Sequence, residues 1–235
     1  HNVQRGMVSL TNATEAGTIY TPAEVAALTA VAREYKLPVH MDGARFANAL
    51  VSLGCTPAEI TWKAGVDVLS FGGTKNGCMG VEAVVIFDPA RAWDFELRRK
   101  RGGHLFSKHR FLAAQMAAYL DGDLWLRLAR QANAMAARLS AGIAALPGAA
   151  LTHPTQANEV FAAFPRAAHR AAQAAGASYY FWPFDQSLDG PGAEPLAARM
   201  VTSWATTEAE VDSFLAYLRH ALAGAEGAPL PHSGA

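Results

Sequence analysis

In residues 7–41, MVSLTNATEAGTIYTPAEVAALTAVAREYKLPVHM, two short apolar runs flank a helical pattern. The runs Met7–Leu10 and Pro38–Met41 have the length and composition of buried strands. In Thr21–Glu24, a threonine suited to an N-cap is followed by proline at the first helical position and by the glutamate of a capping box. The segment therefore predicts a strand, a helix that extends to about Lys36, and a second strand.

The alternation of strand and helix continues beyond this segment. Val66–Phe71 is a third apolar run with strand composition. The predicted helix has apolar residues at helical spacing, which favours one face packed on a sheet: Val25, Leu28, Ala32 and Tyr35. Strands that alternate with helices are typical of a parallel sheet covered by helices. The pattern therefore predicts an α/β fold.

After Phe71 the pattern changes. The glycine-rich segment Gly72–Gly77 leads within a few residues to another apolar run, Ala83–Phe87. A connection this short favours an antiparallel neighbour in the sheet. Farther along the chain, Phe111–Leu146 is helical in composition and is interrupted near Asp121–Asp123.

The carboxy-terminal part has a different pattern. Beyond Leu151, short strands and helices are predicted at 160–164, 166–175, 179–184, 199–204 and 208–223. We therefore expect three segments along the chain. Residues 1–150 form a large domain with a long connecting helix, residues 151–223 form a small α+β domain, and residues 224–235 form a flexible tail rich in Gly, Pro and Ala.

Composition narrows the classes of partner. The 235 residues include 20 Lys+Arg and 20 Asp+Glu, so the formal net charge of zero does not indicate binding to nucleic acid or to an anionic membrane. No run approaches the roughly 20 apolar residues of a membrane span. Cys55 and Cys78 are far apart, which indicates neither a metal site nor a disulfide framework and fits the reducing cytoplasm. A small-molecule partner is the expectation.

Asp42 directly follows the run Pro38–Met41. In an open α/β sheet, ligands bind at the carboxyl ends of the strands, so this carboxylate is a candidate ligand group. The alternative is that Asp42 only caps a following helix. Arg45, three residues later, either pairs with Asp42 or faces a ligand anion.

Lys75 occupies a similar position after Val66–Phe71. Most lysines are solvated surface residues, but this one lies between glycines, among apolar strands and away from acidic residues in the sequence. This setting favours an amine that acts as a nucleophile. The nucleotide-binding loop is excluded because it needs Gly-Lys-Ser/Thr, whereas this segment has Thr74-Lys75-Asn76.

An aspartate and a lysine at adjoining strand ends form the pair that a pyridoxal phosphate enzyme needs. The lysine amine holds the cofactor aldehyde, and the carboxylate keeps the pyridine nitrogen protonated so that the ring accepts electrons. The basic run Arg98–Arg101 has two interpretations, a solvated helix end or a phosphate site. The residues thus predict a pyridoxal phosphate site at Lys75 and Asp42.

Three segments together resemble the low-specificity L-threonine aldolases. They are Thr11–Tyr20 (TNATEAGTIY), His40–Ala49 (HMDGARFANA) and Asp67–Gly77 (DVLSFGGTKNG). The resemblance extends from His1 to about Tyr217. It implies a fold-type I pyridoxal phosphate enzyme, in which an aspartate aminotransferase-like large domain with a mostly parallel sheet precedes a small α+β domain.

The resemblance implies five cofactor contacts. Lys75 is the Schiff-base lysine, and Asp42 is the partner of the pyridinium nitrogen. Arg45 lies against both the cofactor and the substrate carboxylate. Lys108 and Arg110 lie in the region where family members place a cation on the cofactor phosphate, in some cases that of a neighbouring subunit.

Two further residues are implied on the substrate side. Arg199 matches the small-domain arginine that clamps the substrate carboxylate, and the alternative is a surface arginine at the start of a strand. His1 lies eleven residues before Asn12, the offset at which the family has an active-site histidine near the substrate side chain. Because His1 is terminal, a frayed end is the alternative.

The implied activity is retro-aldol cleavage of L-threonine, L-allo-threonine or a related β-hydroxy-α-amino acid to glycine and an aldehyde, by a homodimer or homotetramer. A β-eliminating lyase or an aminotransferase uses the same lysine and aspartate. Family members also carry a large upstream portion that this sequence lacks. We therefore expect the chain to be the carboxy-terminal part of a longer protein, and a non-catalytic folded partner is a third possibility.

Overall fold

The computed structural model describes residues 3–224, which form two compact units. The first unit contains residues 3–15 and 19–130, and the second contains residues 16–18 and 131–224. The first unit ends at Arg130, earlier than the predicted domain boundary after residue 150. His1 and residues 225–235 of the predicted tail lie outside the described residues.

The first unit combines four strands with five complete helices among its described residues. The strands are β1 (Val8–Thr11), β2 (Val39–Gly43), β3 (Val68–Gly72) and β4 (Glu82–Ile86). The helices are α1 (Pro22–Glu34), α2 (Phe46–Leu53), α3 (Pro57–Ile60), α4 (Ala92–Arg101) and α5 (Arg110–Leu120). A long helix, α6 (Leu124–Ala144), begins in this unit and continues into the second.

The sheet of the first unit has the order β1-β2-β3-β4. β1, β2 and β3 pair in parallel, and β4 pairs antiparallel to β3, as the short connection after Phe71 predicts. In register, Asp42 of β2 is opposite Thr11 of β1 and Ser70 of β3. The carboxyl ends of three neighbouring strands therefore meet at one edge.

Helix α1 begins as predicted, and its buried face includes two of the four predicted residues, Val25 and Ala32. Thr21 Oγ1 accepts a hydrogen bond from the Glu24 amide at 3.3 Å, and the Glu24 carboxylate accepts one from the Thr21 amide at 2.8 Å. The buried residues are Val25, Thr29 and Ala32, which lie on one side because α-helical residues advance about 100° each. The prediction that Leu28 and Tyr35 belong to this face was wrong, since they are 38% and 59% exposed.

Asp67, just before β3, links three elements of the first unit. Its carboxylate accepts hydrogen bonds from the Arg33 guanidinium of α1 at 3.0 and 3.1 Å, and from the Val39 amide of β2 at 2.7 Å. The Asp67 amide in turn donates to the Val39 carbonyl at 2.9 Å. These contacts hold α1 against the start of the β2–β3 pair.

The second unit has its own sheet and core. Its strands are β5 (Ala150–Leu151), β6 (Glu159–Pro165), β7 (Tyr180–Phe181) and β8 (Pro195–Val201), and its helices after α6 are α7 (Arg166–Ala174) and α8 (Glu208–Gly224). The order is β5-β6-β8-β7, with antiparallel pairs throughout. This is the predicted small α+β arrangement. Among residues 3–224, no helix combines the length and the hydropathy needed to cross a membrane.

His169 on α7 is a fully buried polar residue in the core of the second unit. Its ring stacks on Phe164, with 3.7 Å between ring centroids. Nδ1 lies 3.0 Å from the Tyr179 hydroxyl, and Nε2 lies 3.0 Å from the Leu196 carbonyl oxygen. Burial lowers the pKa of His169 from 6.5 to about 4, so the ring is neutral at neutral pH.

We expect acid to destabilise the second unit through His169. Between pH 6.5 and about 4, His169 is protonated in the unfolded chain but neutral in the folded protein. The free energy of unfolding therefore falls as the pH decreases through this range. The full loss is roughly 3 kcal/mol. Urea unfolding at several pH values measures it. His169→Gln should flatten the pH dependence, whereas the exposed-site control His104→Gln should leave it unchanged; equal slopes in both variants would contradict this assignment.

Candidate functional site

Asp42 lies at the carboxyl edge of the parallel strands, one residue before β2 ends. Its side chain is half-buried, and Oδ1 accepts a hydrogen bond from the Ala44 amide at 2.9 Å. α2 starts only at Phe46, with Arg45 at its N-cap and no side-chain cap. Asp42 therefore does not cap that helix, and the turn at Ala44 orients its carboxylate at the sheet edge.

Lys75 lies at the same edge, after the end of the neighbouring strand. β3 ends at Gly72, and Thr74–Asn76 form a single 3₁₀ turn with Lys75 at its centre. The Lys75 side chain is exposed, whereas Asn76 is buried. Within residues 3–224, Lys75 has no ion-pair partner. The structure thus places an accessible amine and an oriented carboxylate on adjoining parallel strands.

Close backbone approach at this edge requires glycine. An ideal Cβ at Gly72 would lie 2.7 Å from the Ala44 carbonyl carbon, and one at Gly43 would lie 2.7 Å from the Ser70 carbonyl oxygen. Both obstacles are backbone atoms, which cannot rotate away as a side chain can. The two glycines therefore allow β2 and β3 to keep their register up to the point where Asp42 and Lys75 emerge.

His40 is a polar residue at this sheet that the sequence analysis does not single out. It precedes Asp42 by two positions and therefore points to the same side of β2. Its Nδ1 lies 2.8 Å from the Ser9 hydroxyl, and its Nε2 lies 2.8 Å from the Ser70 hydroxyl. A polar residue two positions from a candidate carboxylate on one strand is the signal that could have identified it.

The remaining predicted cofactor contacts are dispersed over the first unit. Arg45 is half-buried beside Asp42, at the start of α2. Lys108 is exposed between α4 and α5 with a φ of 65°, and Arg110 is the first residue of α5. The basic run Arg98–Arg101 forms the last turn of α4, where Arg98 pairs with Asp94 at 2.9 Å. The structure brings Arg45 to the Asp42 edge, and the roles of Lys108 and Arg110 stay predictions.

Arg199 belongs to the second unit, in β8. Its guanidinium carbon lies 4.7 Å from the centroid of the Trp182 ring and 5.9 Å from that of Phe184. Aromatic faces of this kind attract a cation and hold a guanidinium in one plane. The Arg199 guanidinium therefore packs against aromatic rings. The residue lies inside β8, which starts at Pro195.

Comparison with known proteins identifies the family to which the chain belongs. The family model described as beta-eliminating lyase matches residues 1–165, which include both Asp42 and Lys75. The chain belongs to the beta-eliminating lyase family. The chain is 44% identical over 219 residues to a low specificity L-threonine aldolase of a Pseudomonas species, and 46% identical over 206 residues to that of Pseudomonas aeruginosa. These relatives confirm the resemblance predicted from the three sequence segments.

A solved structure agrees with the fold. The threonine aldolase of Leishmania major superposes with a TM-score of 0.81 at 28% identity, over 92% of this chain and 61% of that one. The two Pseudomonas matches cover 93% and 88% of this chain. They extend over 60% and 57% of those relatives, so this beta-eliminating lyase family chain spans less than two thirds of their length.

We expect Gly72→Ala to destabilise the first unit, because its new methyl group meets the Ala44 backbone. The cost should be about 1–3 kcal/mol. Gly80→Ala is a matched control, since no described atom lies within 4 Å of its added Cβ, and should change stability by less than about 0.5 kcal/mol. Urea midpoints measure both variants. Equal midpoints for the two would show that the β2–β3 edge tolerates displacement.

Proposed function

We propose that the protein is a pyridoxal phosphate enzyme that cleaves L-threonine, L-allo-threonine or a related β-hydroxy-α-amino acid to glycine and an aldehyde. The observation that carries the proposal is the placement of the Asp42 carboxylate and the Lys75 amine on adjoining strand ends, in a chain 44–46% identical to low specificity L-threonine aldolases. An α/β sheet binds ligands at this edge.

The residues at this edge fit pyridoxal phosphate. A carboxylate has about four acceptor sites, and the Ala44 amide uses one of those on Asp42, which leaves capacity for a protonated ring nitrogen. Lys75 presents an exposed amine that can hold an aldehyde covalently. Arg45 adds a cation beside Asp42, and Lys108 and Arg110 are proposed phosphate contacts. When bound, pyridoxal phosphate supplies an electron sink for the electron pair released at the substrate Cα.

The chain's own residues supply binding and proton transfer. The Lys75 amine would hold the cofactor aldehyde until substrate binds, and the Asp42 carboxylate would keep the ring nitrogen protonated. Arg199 is proposed to bind the substrate carboxylate, for which the planar guanidinium offers two parallel N–H donors. A base would remove the β-hydroxyl proton as the Cα–Cβ bond breaks to release the aldehyde, and return of a proton to Cα would complete glycine. We propose His1, or a water molecule that it orients, for this role.

We also propose a homodimer or homotetramer in the cytoplasm. Three aromatic residues of the α4–α5 region, Trp93, Phe106 and Phe111, expose 68%, 53% and 62% of their surface. We propose that these side chains contribute to a subunit interface, where contiguous apolar surface is typical. Both Cys55 and Cys78 are free thiols, which supports a reducing compartment.

The central assignment predicts that covalent capture of pyridoxal phosphate depends on Lys75. Titration of the chain should produce the visible absorbance of the lysine-bound cofactor at about one equivalent, and borohydride reduction should fix the cofactor on the peptide that contains Lys75. Lys75→Ala should abolish both signals. Lys63→Ala removes another exposed lysine of the same unit and should retain them. A visible band in Lys75→Ala would refute the role of Lys75, and no capture by the unaltered chain would favour a non-catalytic partner.

Product analysis separates the remaining alternatives. The match to a family described as beta-eliminating lyase keeps β-elimination as the second candidate, and aminotransferases use the same lysine and aspartate. With threonine as substrate we expect glycine and acetaldehyde in equal amounts, because the Cα–Cβ bond is broken. Mass spectrometry and an aldehyde assay measure both products. A keto acid with ammonia would assign a β-eliminating lyase instead, and a keto acid with transferred nitrogen would assign an aminotransferase.

A further inference from the structure

The turn that carries Lys75 is held at its start by a side chain from the next strand. The Gly73 amide donates to Glu82 Oε2 at 2.9 Å, and the Thr74 amide donates to Glu82 Oε1 at 3.1 Å. The first amides of a helical turn have no acceptor within the turn. Glu82, the first residue of β4, therefore supplies one carboxylate oxygen to each of them.

Asn76, the last residue of the turn, is held by contacts with α5 and α6. The Asn76 side chain is only 3% exposed, and its amide nitrogen donates to the Tyr119 hydroxyl at 2.6 Å and to the Trp125 carbonyl at 2.9 Å. The Tyr119 hydroxyl donates onward to the Gly72 carbonyl at 3.4 Å. Burial raises the pKa of Tyr119 to about 12, so this hydroxyl keeps its proton at neutral pH.

These contacts hold the backbone on both sides of Lys75, whose own side chain is exposed. Glu82 contacts the backbone before Lys75, and Asn76 anchors the residue after it. Lysine has about 2 kcal/mol of side-chain rotamer entropy, so an unrestrained backbone would spread its amine over many positions. A buried amide such as Asn76 must have partners, and a network with satisfied partners specifies one arrangement.

We propose that Glu82 and Asn76 are positioning residues for Lys75. They hold the 3₁₀ turn so that the lysine amine is presented at the carboxyl edge of β3, beside Asp42 on β2. This inference rests on the proposed function, in which Lys75 holds pyridoxal phosphate. It adds that the rate of covalent capture depends on the two side chains that hold the backbone before and after Lys75.

The decisive comparison is Glu82→Ala with Glu59→Ala. Glu59 is a comparable control because its carboxylate also accepts from a backbone amide before a short helical segment, that of Thr56 at the start of α3. Borohydride quenching at timed intervals, followed by peptide mass analysis, gives the capture rate at Lys75. Glu82→Ala should reduce this rate about tenfold or more, since small displacements of a reacting group are costly. Glu59→Ala should leave it within about twofold.

Two conservative variants keep the test valid if Glu82→Ala folds poorly. Glu82→Gln retains one of the two acceptor oxygens and should preserve more of the capture rate than Glu82→Ala. Tyr119→Phe removes the hydroxyl that accepts from Asn76 but keeps the ring, and should reduce capture about threefold to tenfold.

A measurement without cofactor completes the test. Hydrogen exchange of the amides at Gly73 and Thr74 should accelerate in Glu82→Ala, and should not in Glu59→Ala. If the unaltered chain captures no cofactor at Lys75, the proposed function fails and this inference falls with it. If the unaltered chain captures cofactor and Glu82→Ala captures it equally fast, only the positioning role is overturned.

Discussion

Parallel pairing of β1, β2 and β3 is the constraint on which the candidate site depends. It brings three carboxyl ends to one edge, where Asp42 faces Thr11 and Ser70 across the sheet. A slip of one residue would turn Asp42 to the opposite face. The register is secured at one end by Asp67, which binds Arg33 and Val39, and at the other by glycines that permit backbone contact.

The side chain of Lys75 is exposed, whereas the backbone of its turn is held by hydrogen bonds from other elements. An amine that must meet a small molecule has to remain accessible, so it cannot itself be packed into the core. The support comes instead from its neighbours in the turn, through Glu82 and through the buried pair Asn76 and Tyr119. This division allows the side chain to move while its point of attachment stays in place.

Much of the fold could be predicted because its signals are local. The strand positions follow from apolar runs, the start of α1 from its capping box, and the antiparallel β4 from a short connection. Helix α3 was not predicted, and α2 and α4 were anticipated without bounds, as a helix after Asp42 and as a helix end at Arg98–Arg101. In α2 nearly every residue is apolar, so no periodicity marks it, and α4 is dominated by charged residues with none buried. The buried face of α1 was wrong in part because spacing alone does not locate the core.

The sequence by itself determined the chemistry of the edge: a carboxylate and an amine that follow apolar strands, in segments that resemble one family. Only the tertiary structure decided what supports them. Asn76 meets Tyr119 and Trp125 across separations of 43 and 49 residues, and Glu82 reaches back to Gly73 across nine. Such contacts leave no local pattern, because hydrogen-bond geometry depends on where separate elements pack and not on the spacing of residues within any one of them.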